Sequence, residues 1–250
     1  MATIDLSGKT ALVTGAGQGL GRCTATTLHA AGANVVVNYF DDSQGVNRQR
    51  AEETVAALGE RAVAIAADVR SSSEVNRMFD EAVGRFGRLD IVVNNAAIIR
   101  DRTLKKMTDE EWQDVIDTNL TGVFQVCRAA ADRIAEGGRI VNMASISGVV
   151  GFYGQVNYSA AKAGVIAITK VLSKELARRR VTVNAVAPGV VLTEMGKTIP
   201  EEVRAGMIAQ IPLGRFGEPE EISNVILFLC SDLASYVTGQ TIHANGGWLG

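Results

Sequence analysis

The chain has 250 residues, 47% of them hydrophobic and 21% charged, and its formal net charge is −2. This length suits one large α/β domain, and the near-neutral charge excludes a broad basic surface for nucleic acid. Three cysteines and two histidines show no CxxC or metal-ligand spacing, so we expect reduced cysteines in a cytoplasmic protein without a metal site. With no basic-then-apolar leader and no apolar run of about 18 residues, no membrane association is expected.

Short apolar runs alternate with longer helical patterns along the chain. The runs are continuous rather than alternating in polarity, as in strands buried on both faces, so the alternation predicts a parallel sheet with helices on both faces. The predicted strands are Thr10–Thr14, Asn34–Tyr39, Ala62–Ala67, Asp90–Asn94, Arg139–Ala144, Thr182–Ala187 and Thr241–Ala244. The predicted helices are Gly19–Ala31, Gln44–Leu58, Ser73–Phe86, Asp109–Ala135, Val156–Arg179 and Pro219–Ser231. The long stretch of residues 193–218 has few strand features and is predicted to be a mobile lid over a site.

A glycine-rich turn directly follows the first apolar run. Gly15, Gly19 and Gly21 come after Thr14 and open the first helical pattern. Glycines let the backbone approach a pyrophosphate closely, and a helix N-terminus offers free N–H donors. The spacing is Gly-x-x-x-Gly-x-Gly rather than Gly-x-Gly-x-x-Gly, and no Gly-Lys-Ser/Thr follows, which disfavours an ATP-binding loop. A turn with only a structural role is the alternative.

Tyr158 and Lys162 lie four residues apart in a predicted helix, thirteen residues after Ser145. Residues i and i+4 share one helix face, so a phenol and an ammonium can contact the same ligand. A free tyrosine has a pKa of about 10, and a neighbouring positive charge is expected to lower it. The two residues are therefore a candidate acid/base pair for interconverting a ketone and an alcohol. Singly, each also has an ordinary structural interpretation.

In combination, these motifs resemble the short-chain dehydrogenase/reductase family from about Leu6 to Gly247. The residues that carry the resemblance are Thr14, Gly15, Gly19, Gly21, Asn94-Asn95-Ala96-Ala97, Asn119, Ser145, Tyr158, Lys162 and Pro188-Gly189. The segments Leu120–Phe124, Ile211–Glu221 and Tyr236–Gln240 resemble 3-oxoacyl-[acyl-carrier-protein] reductases, although members with other substrates share them. The resemblance implies one α/β domain over residues 1–250, doubly wound (Rossmann) around a seven-stranded parallel sheet.

The same resemblance assigns four catalytic roles. Tyr158 is implied to be the general acid/base, and Lys162 to bind the nicotinamide ribose hydroxyls and lower the tyrosine pKa. Ser145, just past a predicted strand, is implied to hydrogen-bond the substrate oxygen and its developing charge. Asn119, a polar residue in an apolar helix, is implied to hold a water that connects Lys162 to solvent.

The resemblance also implies a set of residues that bind the cofactor. Asp68-Val69 is similar to the pair that meets the adenine ring, and Pro188-Gly189 and Thr193 to the loop that contacts the nicotinamide. Ala97 stands where the family has glycine, which puts a tight backbone approach there in question. The full set is Gly15, Gln18, Gly19, Leu20, Asn38, Tyr39, Asp68, Val69, Asn95, Ala96, Ala97, Tyr158, Lys162, Pro188, Gly189, Val191 and Thr193.

The cofactor is predicted to be NADPH rather than NADH. NAD-dependent members commonly carry an aspartate at the end of the second strand, and alignment from Gly32-Ala33 places Tyr39 there. No carboxylate at that position repels a 2′-phosphate. Against this, Gln18 is not basic, no arginine follows Tyr39, and Asp41-Asp42 lies nearby.

The resulting hypothesis is reduction of a 3-oxoacyl thioester, with Tyr158 as the proton donor. Two alternatives stay open: a dehydrogenase of sugars, polyols, steroids or small alcohols, and a non-catalytic dinucleotide-binding regulator. An acidic acyl carrier protein would need a basic patch, for which Arg178-Arg179-Arg180 is one candidate; cations placed favourably at a helix C-terminus are the other interpretation. The resemblance implies a homo-tetramer.

Overall fold

The computed structural model describes residues 4–192 and 201–248, and its framework is one parallel sheet of seven strands. The strands are β1 (Thr10–Val13), β2 (Asn34–Tyr39), β3 (Ala62–Ala66), β4 (Ile91–Asn94), β5 (Arg139–Met143), β6 (Thr182–Pro188) and β7 (Thr241–Ala244). Their order across the sheet is β3-β2-β1-β4-β5-β6-β7. This is the doubly wound fold predicted from the sequence, and each predicted strand is present to within one residue at either end.

Helices cover both faces of this sheet. They are α1 (Gly19–Ala30), α2 (Val46–Leu58), α3 (Ser72–Phe86), α4 (Asp109–Ile116), α5 (Gly122–Arg133), α6 (Ser147–Val150), α7 (Val156–Glu175), α8 (Glu201–Ile208) and α9 (Pro219–Cys230). Side chains of α3, α5 and α7 pack on one face, and those of α1, α2 and α9 on the other. Burial from both sides explains why the strands are apolar throughout rather than at every second residue.

The position of β1 determines where a ligand can bind. β1 pairs with β2 on one side and with β4 on the other, so the connections leave it in opposite directions. In such sheets a crevice opens outside the carboxyl ends of the strands at this switch point. The glycine-rich turn, the end of β2 and the residues after β4 all lie at that edge.

The long predicted helices are less regular in the structure than the sequence suggested. The predicted helix Asp109–Ala135 is interrupted by a π-helical turn, Asp117–Thr121, between α4 and α5. The predicted helix Val156–Arg179 ends as α-helix at Glu175 and finishes with a 3-10 turn, Ala177–Arg179. Helical periodicity in the sequence does not distinguish these turns from a regular α-helix.

The predicted lid, residues 193–218, lies partly outside the described residues. Within it the structure has a helix, α8, that the sequence analysis did not predict. Val191 and Gly217, on either side of most of this segment, pair with each other in an isolated parallel bridge. Among the helices of the described part of the chain, none is long and apolar enough to span a bilayer.

Candidate active site

A cleft of about 660 Å³ opens at the carboxyl ends of β1, β2, β3 and β4. Eleven of the residues predicted to bind the cofactor line it: Gly15, Gln18, Gly19, Leu20, Asn38, Tyr39, Asp68, Val69, Asn95, Ala96 and Ala97. Ala97 is solvent-exposed on the wall of the cleft, so its methyl group does not close it. Residues 4–192 and 201–248 hold no cluster of His, Cys, Asp and Glu that could bind a metal ion.

The glycine-rich turn is held against β4 by close backbone packing. Gly15 has a φ of +62°, and a Cβ on Gly21 would come within 2.4 Å of the Gly15 carbonyl oxygen. The Asn95 side chain donates to the Thr14 and Gly15 carbonyl oxygens, at 2.9 and 3.1 Å. These contacts exclude any larger residue at Gly21 and fix the start of α1.

The start of α1 fits a phosphate group. Its N-cap residue, Gln18, makes no capping hydrogen bond with its side chain, so the first amide groups of the helix have no side-chain acceptor. Such amides and the positive end of the helix dipole favour an anion. Asn38 links the glycine-rich turn to the end of β3. Its buried side chain accepts a hydrogen bond from Gly15 N and donates one to the Ala67 carbonyl oxygen.

The part of the cleft that follows β3 contains an ion pair. Asp68 accepts hydrogen bonds from Nε and Nη2 of Arg70, the shortest at 2.7 Å. Burial raises the pKa of the Asp68 carboxyl, but the Arg70 hydrogen bonds outweigh that effect and the net pKa is lowered. Arg70 also lies over the Phe40 ring. Asp68 and Val69 therefore both line the cleft, and the Asp68 carboxylate is already paired with Arg70; their contact with an adenine ring stays a prediction.

The catalytic candidates converge at the end of β5. Ser145 follows that strand, and Tyr158 and Lys162 lie on successive turns of α7, which packs beside it. The Lys162 Nζ is 5.5 Å from the centroid of the Tyr158 ring and donates to the Met143 carbonyl oxygen at 2.6 Å. Ser145 Oγ accepts from Ser147 N at 3.1 Å, which fixes its position.

Burial dominates the electrostatics of this cluster. It raises the pKa of the Tyr158 phenol to about 12; the Ser145 hydroxyl opposes that rise and the negative charge of Asp101 adds to it. Burial also lowers the pKa of Lys162 to about 8, and this side chain is only 2% exposed. Loss of water disfavours the charged form of each group.

Contrary to the expectation from the motif, the net pKa of Tyr158 is raised rather than lowered, because burial is the largest effect on it. The Lys162 ammonium donates to a main-chain carbonyl of β5 rather than to the phenolic oxygen, and burial raises the tyrosine pKa by more than the Ser145 hydrogen bond lowers it. A phenol with a pKa of about 12 stays protonated at neutral pH. That is the form that a proton donor requires.

Asn119 lies in the π-helical turn and is completely buried. Its Oδ1 accepts from Ile98 N at 2.9 Å, and its Nδ2 donates to the Ile98 carbonyl oxygen at 2.8 Å. Both ends of the amide are thus used to hold the loop that follows β4. The water that Asn119 is predicted to hold stays a prediction.

Asn157 is a site residue that sequence reasoning did not assign. It is completely buried next to Tyr158. Its Nδ2 donates to the carbonyl oxygens of Arg100 and Glu111, at 3.0 and 3.1 Å, and its Oδ1 accepts from Tyr158 N at 2.7 Å. This side chain joins the first turn of α7 to the loop after β4 and to α4. A buried asparagine directly before the tyrosine was the available signal.

Three further predicted cofactor residues lie at or just after the end of β6: Pro188, Gly189 and Val191. Pro188 ends β6, and its carbonyl oxygen accepts from Ile146 N at 3.0 Å, so this loop starts beside Ser145. A Cβ on Gly189 would be 3.0 Å from the Cα of Asn245. Val191 bridges to Gly217. Thr193 lies outside the described residues.

The three consecutive arginines predicted as a candidate docking patch are mostly used within the fold. The Arg179 guanidinium donates to the carbonyl oxygens of Ala131 and Ile134 at the end of α5. Arg180 forms an ion pair with Glu136 at 3.0 Å. These contacts support the structural interpretation, in which cations stabilise carbonyl groups at helix ends.

Comparison with known proteins agrees with this geometry. Residues 15–249 match the family profile described as enoyl-(acyl carrier protein) reductase. The chain is 47% identical to the 3-oxoacyl-[acyl-carrier-protein] reductase FabG of Staphylococcus aureus, covering 96% of this chain and 97% of the relative. It is 45% identical to the reductase of the same name from Aquifex aeolicus, covering 98% of both.

A solved structure has the same fold. It is a short-chain dehydrogenase/reductase from Brucella melitensis described as a glucose/ribitol dehydrogenase, 36% identical, with a TM-score of 0.92 over 100% of both chains. The chain belongs to the short-chain dehydrogenase/reductase family. It is an oxidoreductase that uses a nicotinamide dinucleotide to interconvert a ketone and a secondary alcohol.

Proposed function

We propose that this protein reduces the 3-keto group of an acyl thioester carried on acyl carrier protein, with NADPH as the reductant. The observation that carries the proposal is that Ser145, Tyr158 and Lys162 come together at the end of β5, in the sheet whose neighbouring strand ends form the glycine-lined cleft. The names of the most similar curated relatives supply the substrate class.

The chain's own residues have separate tasks in this reaction. A bound nicotinamide dinucleotide supplies the hydride. Tyr158 donates its proton to the substrate oxygen as negative charge develops there, and Ser145 hydrogen-bonds the same oxygen. With a pKa of about 8, Lys162 is mostly protonated at pH 7, so its positive charge stabilises the phenolate that the transfer leaves behind. Asn157 keeps Tyr158 in position.

The phosphorylated cofactor is favoured by the end of β2. Tyr39 lines the cleft there, where a carboxylate would repel a 2′-phosphate. Asp41, which counted against this choice in the sequence, is paired with Arg48 at 2.7 Å. Asp42 accepts the amides of Val46 and Asn47 at the start of α2, and these hydrogen bonds lower the pKa of its carboxyl.

A homo-tetramer is proposed as the assembly, with residues 193–218 as a lid over the substrate. The long helices α4, α5 and α7 carry apolar side chains that are exposed in the single chain: Trp112, Phe124 and Val171. Phe124→Glu would place a charge on that surface. We expect light scattering to show a tetramer for the unmodified protein and a smaller species for the variant.

Two comparisons suggest other reactions. The family profile is named for reduction of a carbon–carbon double bond, and the Brucella melitensis structure for oxidation of glucose or ribitol. The site favours a carbonyl substrate over a carbon–carbon double bond, because the Ser145 hydroxyl is close enough to Tyr158 to affect its pKa and both hydroxyls could bind one substrate oxygen. The curated relatives are also closer in sequence, at 45–47% identity.

A substrate panel tests the proposal. The purified protein is mixed with NADPH and acetoacetyl thioester on coenzyme A or on acyl carrier protein, and the nicotinamide absorbance is followed. We expect oxidation of NADPH, faster with the carrier-bound substrate. Parallel reactions contain crotonyl-coenzyme A with NADPH, and glucose or ribitol with NADP or NAD. Turnover only in one of these parallel reactions would replace the proposal with the corresponding alternative.

A further inference from the structure

Arg50 occupies a position in the nucleotide cleft that local sequence does not indicate. It lies on α2, eleven residues after Tyr39, yet it lines the same cleft as Gln18 and Tyr39. Its Nη1 donates to Gln18 Oε1, at the residue just before the first turn of α1. The arginine therefore stands between the phosphate-binding turn and the end of β2.

The packing of α2 holds Arg50 in this position. Thr54, one turn further along, donates from Oγ1 to the Arg50 carbonyl oxygen at 2.8 Å and lies 3.3 Å from the Gly17 carbonyl oxygen. A Cβ on Gly17 would be 3.1 Å from Ala51 N. The helix thus packs directly on the glycine-rich turn, and glycine at position 17 allows this approach.

The charge of Arg50 is not balanced by an acid within residues 4–192 and 201–248. Two neighbouring arginines are paired, Arg48 with Asp41 and Arg70 with Asp68, each at 2.7 Å. Arg100, on the loop after β4, also lines the cleft, and its guanidinium donates to the Ile99 carbonyl oxygen. The partner of Arg50 is the neutral amide of Gln18. An exposed cation at a cleft, with only a neutral partner, is suited to bind an anion.

We propose that Arg50, with Gln18 orienting its guanidinium, binds the 2′-phosphate of NADPH and sets the preference over NADH. The inference rests on the proposed function for its cofactor. A guanidinium can form two parallel hydrogen bonds to a phosphate, whereas the 2′-hydroxyl of NADH offers no charge. Tyr39 adds an uncharged wall on the same side of the cleft.

Binding of nucleotide fragments tests Arg50 without any turnover. Titration calorimetry compares adenosine 2′,5′-bisphosphate with AMP, for the unmodified protein, Arg50→Gln and Arg48→Gln. Both variants lose one positive charge from α2, but only Arg50 lines the cleft. We expect Arg50→Gln to weaken binding of the bisphosphate by about tenfold or more and to leave AMP within about twofold. Arg48→Gln should change both by about twofold or less.

A third variant and the possible outcomes complete the test. Arg50→Lys keeps the charge but loses the planar fork, so its binding of the bisphosphate should fall between those of the other two proteins. Equal binding of the two nucleotides by the unmodified protein, an unchanged ratio in Arg50→Gln, or an equal loss in Arg48→Gln would overturn the inference. Selective binding through Arg50 without thioester reduction would contradict the proposed function alone.

Discussion

The two ends of the site are built differently. At the end formed by the glycine-rich turn, Gln18 and Arg50 are exposed, and the contacts offered to a ligand come from backbone amides and an exposed cation. At the catalytic end, Lys162 is buried and its ammonium is bonded to the sheet. The first end can therefore change its specificity by surface substitutions, whereas a change at the second end disturbs packing and chemistry together.

The largest expected effect isolates the catalytic end. Tyr158→Phe removes the proton donor, and we expect the rate of ketone reduction to fall by about 10²–10⁴. Binding of NADPH, measured by fluorescence, should stay within about twofold, because the nucleotide cleft is not lined by Tyr158. Tyr236→Phe is the matched control, since that tyrosine is fully exposed. Ketone reduction at an undiminished rate in Tyr158→Phe would exclude the assigned role.

A second pair of substitutions tests how tightly the catalytic helix is packed. A Cβ on Gly148 would be 2.7 Å from Lys162 C and Ala163 N, both backbone atoms of α7. A Cβ on Gly164 would be equally close, at 2.7 Å, but to the terminal methyl of Leu120. We expect Gly148→Ala to lower the free energy of unfolding by about 1–3 kcal/mol.

The activity of Gly148→Ala should also fall, because the added methyl displaces the backbone of Lys162. Gly164→Ala should lower the free energy of unfolding by less than Gly148→Ala does, because the flexible Leu120 side chain can move aside. Urea denaturation and turnover, measured on both variants, check the comparison. If the Gly164 variant proves the less stable of the two, the packing argument fails.

The third prediction concerns the nucleotide end. Tyr39→Asp places a carboxylate where the 2′-phosphate is proposed to bind. Repulsion between the two negative charges should weaken the binding of NADPH by about tenfold. NADH should gain relative affinity, because a carboxylate can accept from the ribose 2′-hydroxyl. Tyr39→Phe separates the added charge from the lost hydroxyl. If Tyr39→Asp leaves the ratio of NADPH affinity to NADH affinity unchanged, the 2′-phosphate does not bind beside Tyr39.

The smallest effect is a pH dependence of stability. The folded pKa of Lys162 is about 8, below its ordinary value of 10.5, so between these values the unfolded chain binds more protons and stability rises with pH. The pKa of Tyr158 is raised to about 12, so its contribution to stability is fully present below pH 10 and is lost between about pH 10 and 12. Replacing Lys162 by Met should remove the first slope, at most about 1.4 kcal/mol per pH unit.

The measurement is urea denaturation of both proteins without nucleotide at several pH values from about 7 to 10. The difference in stability between the unmodified protein and the methionine variant should change in favour of the unmodified protein as the pH rises. A difference that stays constant across this range would mean that the buried ammonium keeps its ordinary pKa.

The sequence predicts the sheet well because strand burial leaves a local signal. Continuous apolar runs located every strand, and the i, i+4 spacing of Tyr158 and Lys162 placed both on one face of α7. The tyrosine pKa could not be read in the same way. Its direction depends on how much water the folded protein removes, a property of the packed structure rather than of the motif.

Long-range contacts explain what the sequence left out. Arg50 reaches the cleft only because α2 packs on Gly17, and no spacing rule connects these residues. The hydrogen bonds that join the Asn119 amide to the Ile98 backbone connect residues 21 positions apart and leave no local signal in the sequence. Helix α8 lies within residues 193–218, which were predicted to be a lid because they have few strand features. The helix was missed because its sequence has no strong amphipathic pattern.

The π-helical turn Asp117–Thr121 sets the angular phase of the helix that follows it. Each residue advances a helix by about 100°, so straightening this turn would rotate all of α5. The stripe formed by Val123, Val126 and Cys127, now buried against the sheet, would swing toward solvent. Loss or gain of one residue here would therefore misdirect an entire helix, which makes this short irregular segment poorly tolerant of insertions and deletions.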